Sequence, residues 1–503
     1  MTREELEKKH ALYTQNLAYW NFFRMAYDGG RDFIHDALVR HPMETYKNYQ
    51  ARLAEGICFN YSAAIIDLFN FYLTERAPAR HLKGLEKDPQ WMMFESDADL
   101  YGTDFDTYLN NTQKISSVYG SAGVLVNKAS NTTKIVAQEI EKGIYPYCST
   151  YTMTNIHDWE FERDPETNRP VLSYLKLKEA ESGRWTIWRK DLWEVWEIPD
   201  YAENTEPLTG GSAASPGSGD KQKATIVGRD KNPLNEIPFV WMPNIKNIYT
   251  PYLGISDIRE ISYITASIIR NLSHGEEVIK FAGFPMLRVP MLPEDKSDGE
   301  VEVLSGQRAV QEFPPDNPQA KPDWMEAAIA EPIEAVLQWI DRKVDETYRV
   351  AHLSGVHGQR KSNNEVSSGL ALRYEFQQLN SVLLQKSNNM LESEQNIIRL
   401  WLKWQNRENL YKEVEITRAA HFSIDDLSIN LENVINTMAS VQSNTFKAKA
   451  QKQLAKIALP DLSDSDFEQI EKEINASEIK DEGKNEDDPS PSSSPSPEVP
   501  DEG

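Results

Sequence analysis

Ser256-Asp257-Ile258-Arg259-Glu260-Ile261-Ser262-Tyr263-Ile264-Thr265-Ala266-Ser267-Ile268-Ile269-Arg270-Asn271-Leu272 opens a stretch that decides how the chain is organised. Ile258, Ile261, Ile264, Ile268 and Leu272 recur at helical spacing and mark one apolar face. Ser256 is placed to cap the first turn, with Asp257 at the positive end of the helix dipole. The pattern predicts a helix over 256–280. Residues 281–322 then carry seven prolines, so they read as an excursion of short extended pieces, with Leu287-Arg288-Val289 and Val301-Glu302-Val303-Leu304 as its strands. A second helix over 323–352 has Ile329, Ile333, Val336, Ile340 and Val344 as its stripe, and Pro332 is expected to bend it.

Outward from this pair, Ser354-Gly355-Val356-His357-Gly358-Gln359-Arg360-Lys361-Ser362-Asn363-Asn364 is a polar loop freed by two glycines. Ser362 and Glu365 fit a capping box, where each side chain satisfies a free backbone N–H. They would start a helix running to about Gln405, roughly 60 Å at 1.5 Å per residue. A smaller helical unit follows over 425–476. From Ser477 onward the chain is acidic and rich in serine and proline, with too little apolar area to offset ordering entropy, so 477–503 is expected to be disordered.

Before the pair, residues 2–110 read mainly as helix. Thr2 and Glu5 form another capping box, so the N-terminus reads as a helix start and not as a signal peptide. Tyr61, Ala64, Ile65, Leu68, Phe69 and Tyr72 make an apolar stripe. Residues 115–245 become β-rich. Ser117–Val126 predicts a helix leading into a strand. Val171–Lys178, Arg184–Arg189 and Leu192–Ile198 are strands separated by turn residues such as Asp164-Pro165-Glu166-Thr167-Asn168 and Ser182-Gly183. Residues 203–224 form a Gly/Ser/Pro-rich loop, and Pro233–Trp241 is a buried extended segment.

The 503 residues exceed one compact domain, and a hydrophobic fraction of 40% is enough for globular cores. A net charge of -24 argues against a tight grip on nucleic acid, because carboxylates repel phosphates; it is compatible with a surface along which DNA slides. Cys58 and Cys148 are too few for a disulfide framework or a zinc cluster, and no apolar run is long enough to span a membrane. No Gly-x-x-x-x-Gly-Lys-Ser/Thr loop, His-Glu-x-x-His pair or Gly-x-Ser-x-Gly elbow occurs. His352 and His357 lack a third ligand. Asp104/Asp106 and Asp425/Asp426 read as helix starts and solvated surface. Neither an enzyme nor a cofactor nor a metal site is expected. Trp185, Trp188, Trp193 and Trp196 could stack on sugar, but such residues more often fill the core of a small sheet.

The order of parts resembles the portal proteins of tailed double-stranded DNA phages. Tyr119-Gly120-Ser121-Ala122-Gly123-Val124-Leu125-Val126, Asn235-Glu236-Ile237-Pro238-Phe239-Val240 and Ser367-Ser368-Gly369-Leu370-Ala371-Leu372 look like portal text. The likeness covers roughly 1–475. It implies an α+β, mainly α fold: wing 1–255, stem helix 256–280, clip 281–322, return stem helix 323–353, tunnel loop 354–364, long wing helix and following segment 365–424, crown 425–476.

The resemblance further implies a homo-oligomeric ring of about twelve subunits at a capsid vertex, assembled in the host cytoplasm. Double-stranded DNA would pass through it nonspecifically. Large terminase, major capsid and scaffolding proteins, and head-completion or tail connector proteins would be its partners, and no membrane is involved. Gln359, Arg360, Lys361, Asn363 and Asn364 of the loop would face the DNA. Glu334, Asp341, Arg342, Asp345 and Arg349 would give the stem a channel face of charge belts, joined by Glu326 and Lys343. Two alternatives remain at this point: another phage structural component, such as a head-completion or baseplate protein, and a Trp-rich polysaccharide-processing enzyme using paired carboxylates.

Overall fold

The computed structural model describes residues 1–129, 136–179, 183–198, 224–283, 286–290, 310–313, 321–325, 330–353, 369–419 and 422, with a few helical residues between 447 and 474. Helix covers 53% of the structure and strand 20%, which makes the chain α+β, mainly α. It divides into two compact units, Met1–Phe422 and Ser423–Gly503.

The first unit opens with helices α1 (Arg3–Glu7), α2 (Ala11–Asp28), α3 (Gly30–Ala37), α4 (Tyr46–Glu55) and α5 (Tyr61–Thr74). Thr2 and Glu5 exchange both bonds of the expected capping box. On α5 the buried face is Ser62, Ile65, Ile66, Phe69, Asn70 and Leu73, turned by about one residue from the stripe read in the sequence. Ala64 is exposed. The rotation lets Ser62 approach Thr265 of the later helix α9 (Ile261–Gly283) at 3.5 Å, a polar contact that hydrophobic periodicity does not register. Strand β1 (Ala79–His81) and helices α6 (Pro89–Ser96) and α7 (Phe105–Tyr119) follow. Asp104 caps α7 by accepting from the Thr107 N–H, as read from its sequence.

Gly120 ends α7 with φ +89°, and strand β2 (Ser121–Asn127) begins at once. A Cβ on Gly120 would overlap the Gly254 carbonyl, so this junction needs glycine for both φ and space. After α8 (Val136–Glu141) come β3 (Tyr147–Thr152), β4 (Ile156–Arg163), β5 (Pro170–Lys178), β6 (Arg184–Arg189), β7 (Leu192–Glu197), β8 (Thr225–Lys231) and β9 (Phe239–Pro243). Strands β4 to β8 pair in sequence order as an antiparallel meander, while β2 lies between β3 and β9 in a second sheet. Trp185 and Trp188 are fully buried, Trp196 is nearly so, and the half-buried Trp193 packs against the core, which is the core-filling role. The bulk of loop 203–224 lies outside the described residues.

Helix α9 starts five residues later than Ser256. The Ser256 hydroxyl does accept from a backbone N–H two residues on, but it caps a turn over 257–260 whose Asp257 N–H is held by the Ser117 carbonyl. A tertiary bond thus delays the helix. Strands β10 (Met286–Pro290), β11 (Val310–Phe313) and β12 (Asp323–Met325) form a small sheet, ordered β11-β10-β12. Only β10 was legible in the sequence. Asp323–Met325, read as the start of the return helix, is instead a strand antiparallel to β10 with Met286 opposite Met325. Helix α10 (Ala330–Val350) therefore begins later than 323. Pro332 then sits in its first turn, where a backbone N–H has no intrahelical partner to lose, so the expected bend has no cause. The remaining strand candidate, Val301–Leu304, lies outside the described residues.

Helix α11 (Gly369–Trp404) is about 54 Å long at 1.5 Å per residue. Leu379 and Leu383 join one apolar core with α2, α3, α5 and the face of the meander. Met390, Ile397, Ile398, Trp401 and Leu402 join a second core with α6, α7, β2 and β9. Strand β13 (Glu415–Thr417) pairs with β1. Residues 354–368 and the tail 477–503 lie outside the described residues; within 425–476, only residues 447, 451, 452, 470 and 472–474 are described, all helical.

Candidate functional site

Helices α9 and α10 pack against each other as a pair. Lys343 Nζ donates to Ser267 Oγ at 2.7 Å, and a Cβ on Gly275 would meet Val336 at 3.6 Å. As residue numbers rise on α9 they fall on α10, so the helices are antiparallel. Ile333, Val336, Ile340, Val344 and Thr347 form the less exposed side of α10. The β10–β12 pairing brings the chain back from the end of α9 to the approach of α10, closing the excursion at its base.

Buried polar groups fix the root of α9. Asn244 donates to Asp257 at 2.8 Å and, through its carbonyl oxygens, accepts from Gln113 at 3.0 Å and Asn389 at 2.9 Å. Lys386 of α11 forms an ion pair with Asp257, and both side chains are sealed from solvent. Burial pushes the Lys386 ammonium down, against the carboxylate that favours its charge. Higher on α9, Arg52 donates to Ser273 at 3.3 Å while pairing with Glu44 at 2.8 Å. Lys280 pairs with Glu55 near the far end. Helix α9 is thus fastened along its length to the N-terminal helices.

Glu334, Asp341, Arg342, Asp345 and Arg349 are all exposed on α10. Arg349 pairs with Glu346, and Glu334 accepts from Gln338 at 3.3 Å. Lys343 differs: it is half-buried, and its ammonium is pushed down by burial and then by Arg270. The sequence missed two apolar side chains on the same helix, Leu337 at 55% exposure and Trp339 at 52%. Spacing alone does not separate them from the stripe, since Leu337 lies four residues after Ile333 and three before Ile340, and Trp339 lies three after Val336. Gln359, Arg360, Lys361, Asn363, Asn364 and Glu326 lie outside the described residues.

Among the described residues no three His, Cys, Asp or Glu side chains converge as a metal-binding set, and no helix is long and apolar enough to cross a membrane. Cys148 is buried and Cys58 half-buried, both as free thiols. A groove between the end of β4, β9 and α11 is lined by Trp241, Tyr252, Phe161 and two carboxylates. Glu162 pairs there with Lys190 at 3.0 Å, and Glu392 with Lys246.

No family model matches the chain, and no curated protein matches it in sequence.

Proposed function

We propose that this chain is a phage portal protein. In this reading about twelve copies close into a ring at one capsid vertex, and α9 and α10 of each copy wall a channel for genome packaging and ejection. The carrying observation is the antiparallel α9–α10 pair, joined through the β10–β12 pairing and bearing charge on the outer side of α10. The outer side of α10 is mainly acidic, with arginines spaced between the carboxylates. Repeated around a ring, the carboxylates repel phosphates and centre the duplex, while the arginines supply shallow contacts without sequence information.

The chain does no chemistry in this reading. Large terminase supplies the packaging motor. It docks on the 281–322 excursion and later gives way to head-completion and tail connector proteins, while the body meets capsid and scaffolding proteins. Negative-stain microscopy of the purified full-length chain tests the reading. A ring of about twelve subunits with a central hole is expected. A monomer at all concentrations, or an open filament, overturns it.

A further inference from the structure

The groove beside β9 has no part in the ring proposed above, and its chemistry is of a different kind. Strand β9 stands at the edge of its sheet, next to β2 alone. The Val126 N–H donates to the Pro238 carbonyl at 2.8 Å and the Asn244 N–H to the Gly120 carbonyl at 2.9 Å. Bonded and non-bonded pairs alternate along an antiparallel ladder. Between those two bonds, Val240 and Met242 therefore face β2, while Phe239, Trp241 and Pro243 turn their backbone groups outward. The Phe239 N–H is held by the Ile237 carbonyl, and proline has no N–H. Trp241 thus leaves an N–H without an acceptor among the described residues, with its own carbonyl on the same side. Trp241 and Pro243 also line the groove, which holds about 500 Å³. The Tyr252 ring lies 5.6 Å from Trp241 and 4.9 Å from Phe161, so one wall is aromatic. Several polar side chains around it are already engaged: Glu392 with Lys246, Glu162 with Lys190, and Asn389 with the Asn244 carbonyl. Arg163 differs: it is exposed, donates to the Asn168 carbonyl at 3.0 Å, and meets no carboxylate among the described residues. On the loop that supplies Lys246 and Pro251 to the lining, Ile248 and Tyr249 stand 92% and 91% exposed.

We infer that this groove binds an extended peptide of another protein, laid along β9 as a short added strand, with an apolar side chain against the aromatic wall and an acidic one at Arg163. A backbone donor and acceptor side by side on a sheet edge suit a strand. They do not suit a sugar, whose hydroxyls need the polar side chains that are already engaged. The five residues of β9 span about 16 Å at roughly 3.3 Å each, room for four or five residues of peptide. Phe161 and Arg163 stand two apart on β4 and so share a face. A strand repeats every two residues, so the acidic residue falls two positions from the apolar one. The guanidinium without a carboxylate supplies the charge complementarity that fixes this register. Ile248 and Tyr249 offer the same segment a further apolar surface to cover as it leaves the groove. The site lies within one copy, so it stands or falls apart from the ring.

A fluorescein-bearing peptide, acetyl-Thr-Leu-Thr-Asp-Thr-amide, tests it by anisotropy on titration with the full-length chain, alongside versions with Phe or Trp in place of Leu. Saturable binding is expected from at least one of them. Changing the peptide's Asp to Lys, or making Arg163→Glu in the chain, is expected to weaken binding about tenfold, and combining the two changes to regain most of it. Arg163 is exposed, so Arg163→Glu should leave the thermal melt unchanged. A scan of N-methyl groups along the peptide backbone is expected to find sensitive and insensitive positions in alternation, as a strand edge requires. No saturable binding by any of the three peptides overturns the inference. Binding indifferent to Arg163→Glu, or to N-methylation at every position, overturns it as well. Chitohexaose that displaces the peptide would make the groove a sugar site, and self-association of the chain lost in Arg163→Glu would make a second copy the occupant; either result overturns it.

Discussion

Lys386 Nζ meets the Asp257 carboxylate beneath the surface, and the ammonium lies 4.3 Å from the centre of the Phe69 ring. The two residues are 129 positions apart, one in the middle of α11 and the other in the turn that launches α9. Taking both charges out of water costs energy, which their attraction and the added bond from Asn244 to Asp257 offset. What the pair secures is position, since it ties the helix joining the two cores to the base of the α9–α10 pair.

Breaking that tie from one side leaves a buried charge without its counterpart. Lys386→Met and Asp257→Asn are each expected to lower unfolding free energy by about 3–5 kcal/mol. The double variant should lose less than the sum, because neither charge is then stranded. Urea denaturation of the four proteins measures this, and strict additivity would show that the two groups do not interact.

Glu394 is a similar case with two partners. It is fully buried between Arg80 at 2.5 Å and Arg418 at 2.6 Å, and Arg80 also reaches Asp106. Burial pulls the Arg80 guanidinium down, but Asp106 and Glu394 outweigh it and hold its pKa above the ordinary value. Glu394→Gln leaves two guanidiniums facing a neutral amide, so a loss of at least about 3 kcal/mol is expected. Asp106 is 44% exposed, and Asp106→Asn should cost no more than about 1 kcal/mol. Equal losses would refute the difference assigned to burial.

His157 gives the fold an acid-sensitive element. Burial first, then the neighbouring Lys9, Lys178 and Lys176, push its pKa from 6.5 down to about 3, and its Nδ1 accepts from Trp185 at 3.3 Å. The unfolded chain therefore binds a proton near pH 6.5 that the folded chain refuses until about pH 3. Stability from this site is full above pH 6.5 and falls as the pH drops towards 3, by up to a few kcal/mol at about 1.4 kcal/mol per pH unit. His157→Gln keeps an acceptor for Trp185 without the titration. Its denaturation midpoint should fall less steeply than that of the unaltered chain between pH 6.5 and 4.5; parallel curves would remove His157 as the cause.

These residues also mark where sequence reading stops. The Thr2/Glu5 box, the Asp104 cap, the strands of 170–197 and the long α11 were legible because each is encoded over a few consecutive residues. Lys386 and Glu394 carry no such signal. On a helix they look like solvated charges, and only partners far along the chain show that they are buried. Strands β11 and β12 were missed for the same reason, since their pairing with β10 is non-local. In the candidate site, the apolar faces of α9 and α10 and the charges of α10 could be read from the sequence itself, whereas the pairing of the two helices was implied by the resemblance. The exposure of Leu337 and Trp339 could not be read, because each stands three or four residues from a residue of the apolar stripe and only the folded helix shows them turned outward.

The Gly120–Gly254 crossing should be intolerant of even one methyl group. Gly120 combines φ +89° with a backbone carbonyl where its Cβ would go, and Gly254 has the reciprocal overlap with the Gly120 carbonyl. Backbone cannot rotate aside as a side chain does. Gly120→Ala is expected to cost more than about 2 kcal/mol, the sum of the left-handed conformation and the overlap. Gly143 also has positive φ but open space around it, so Gly143→Ala should cost only about 1 kcal/mol. A thermal melt of both variants separates conformational strain from close approach.

The proposed DNA contact can be tested apart from assembly. Arg360 and Lys361 are adjacent cations in the polar segment that follows α10 in the sequence. Arg360→Ala with Lys361→Ala removes two positive charges per copy and leaves α10 unchanged. Rings should form at the same size, while packaging rate or genome retention changes, because shallow phosphate contacts act on DNA in transit. The unaltered protein should also show the steeper dependence of genome retention on salt, since each lost phosphate contact removes counterion release. If the double variant fails to form rings, the segment belongs to the subunit contact, and its assignment to the DNA path is wrong.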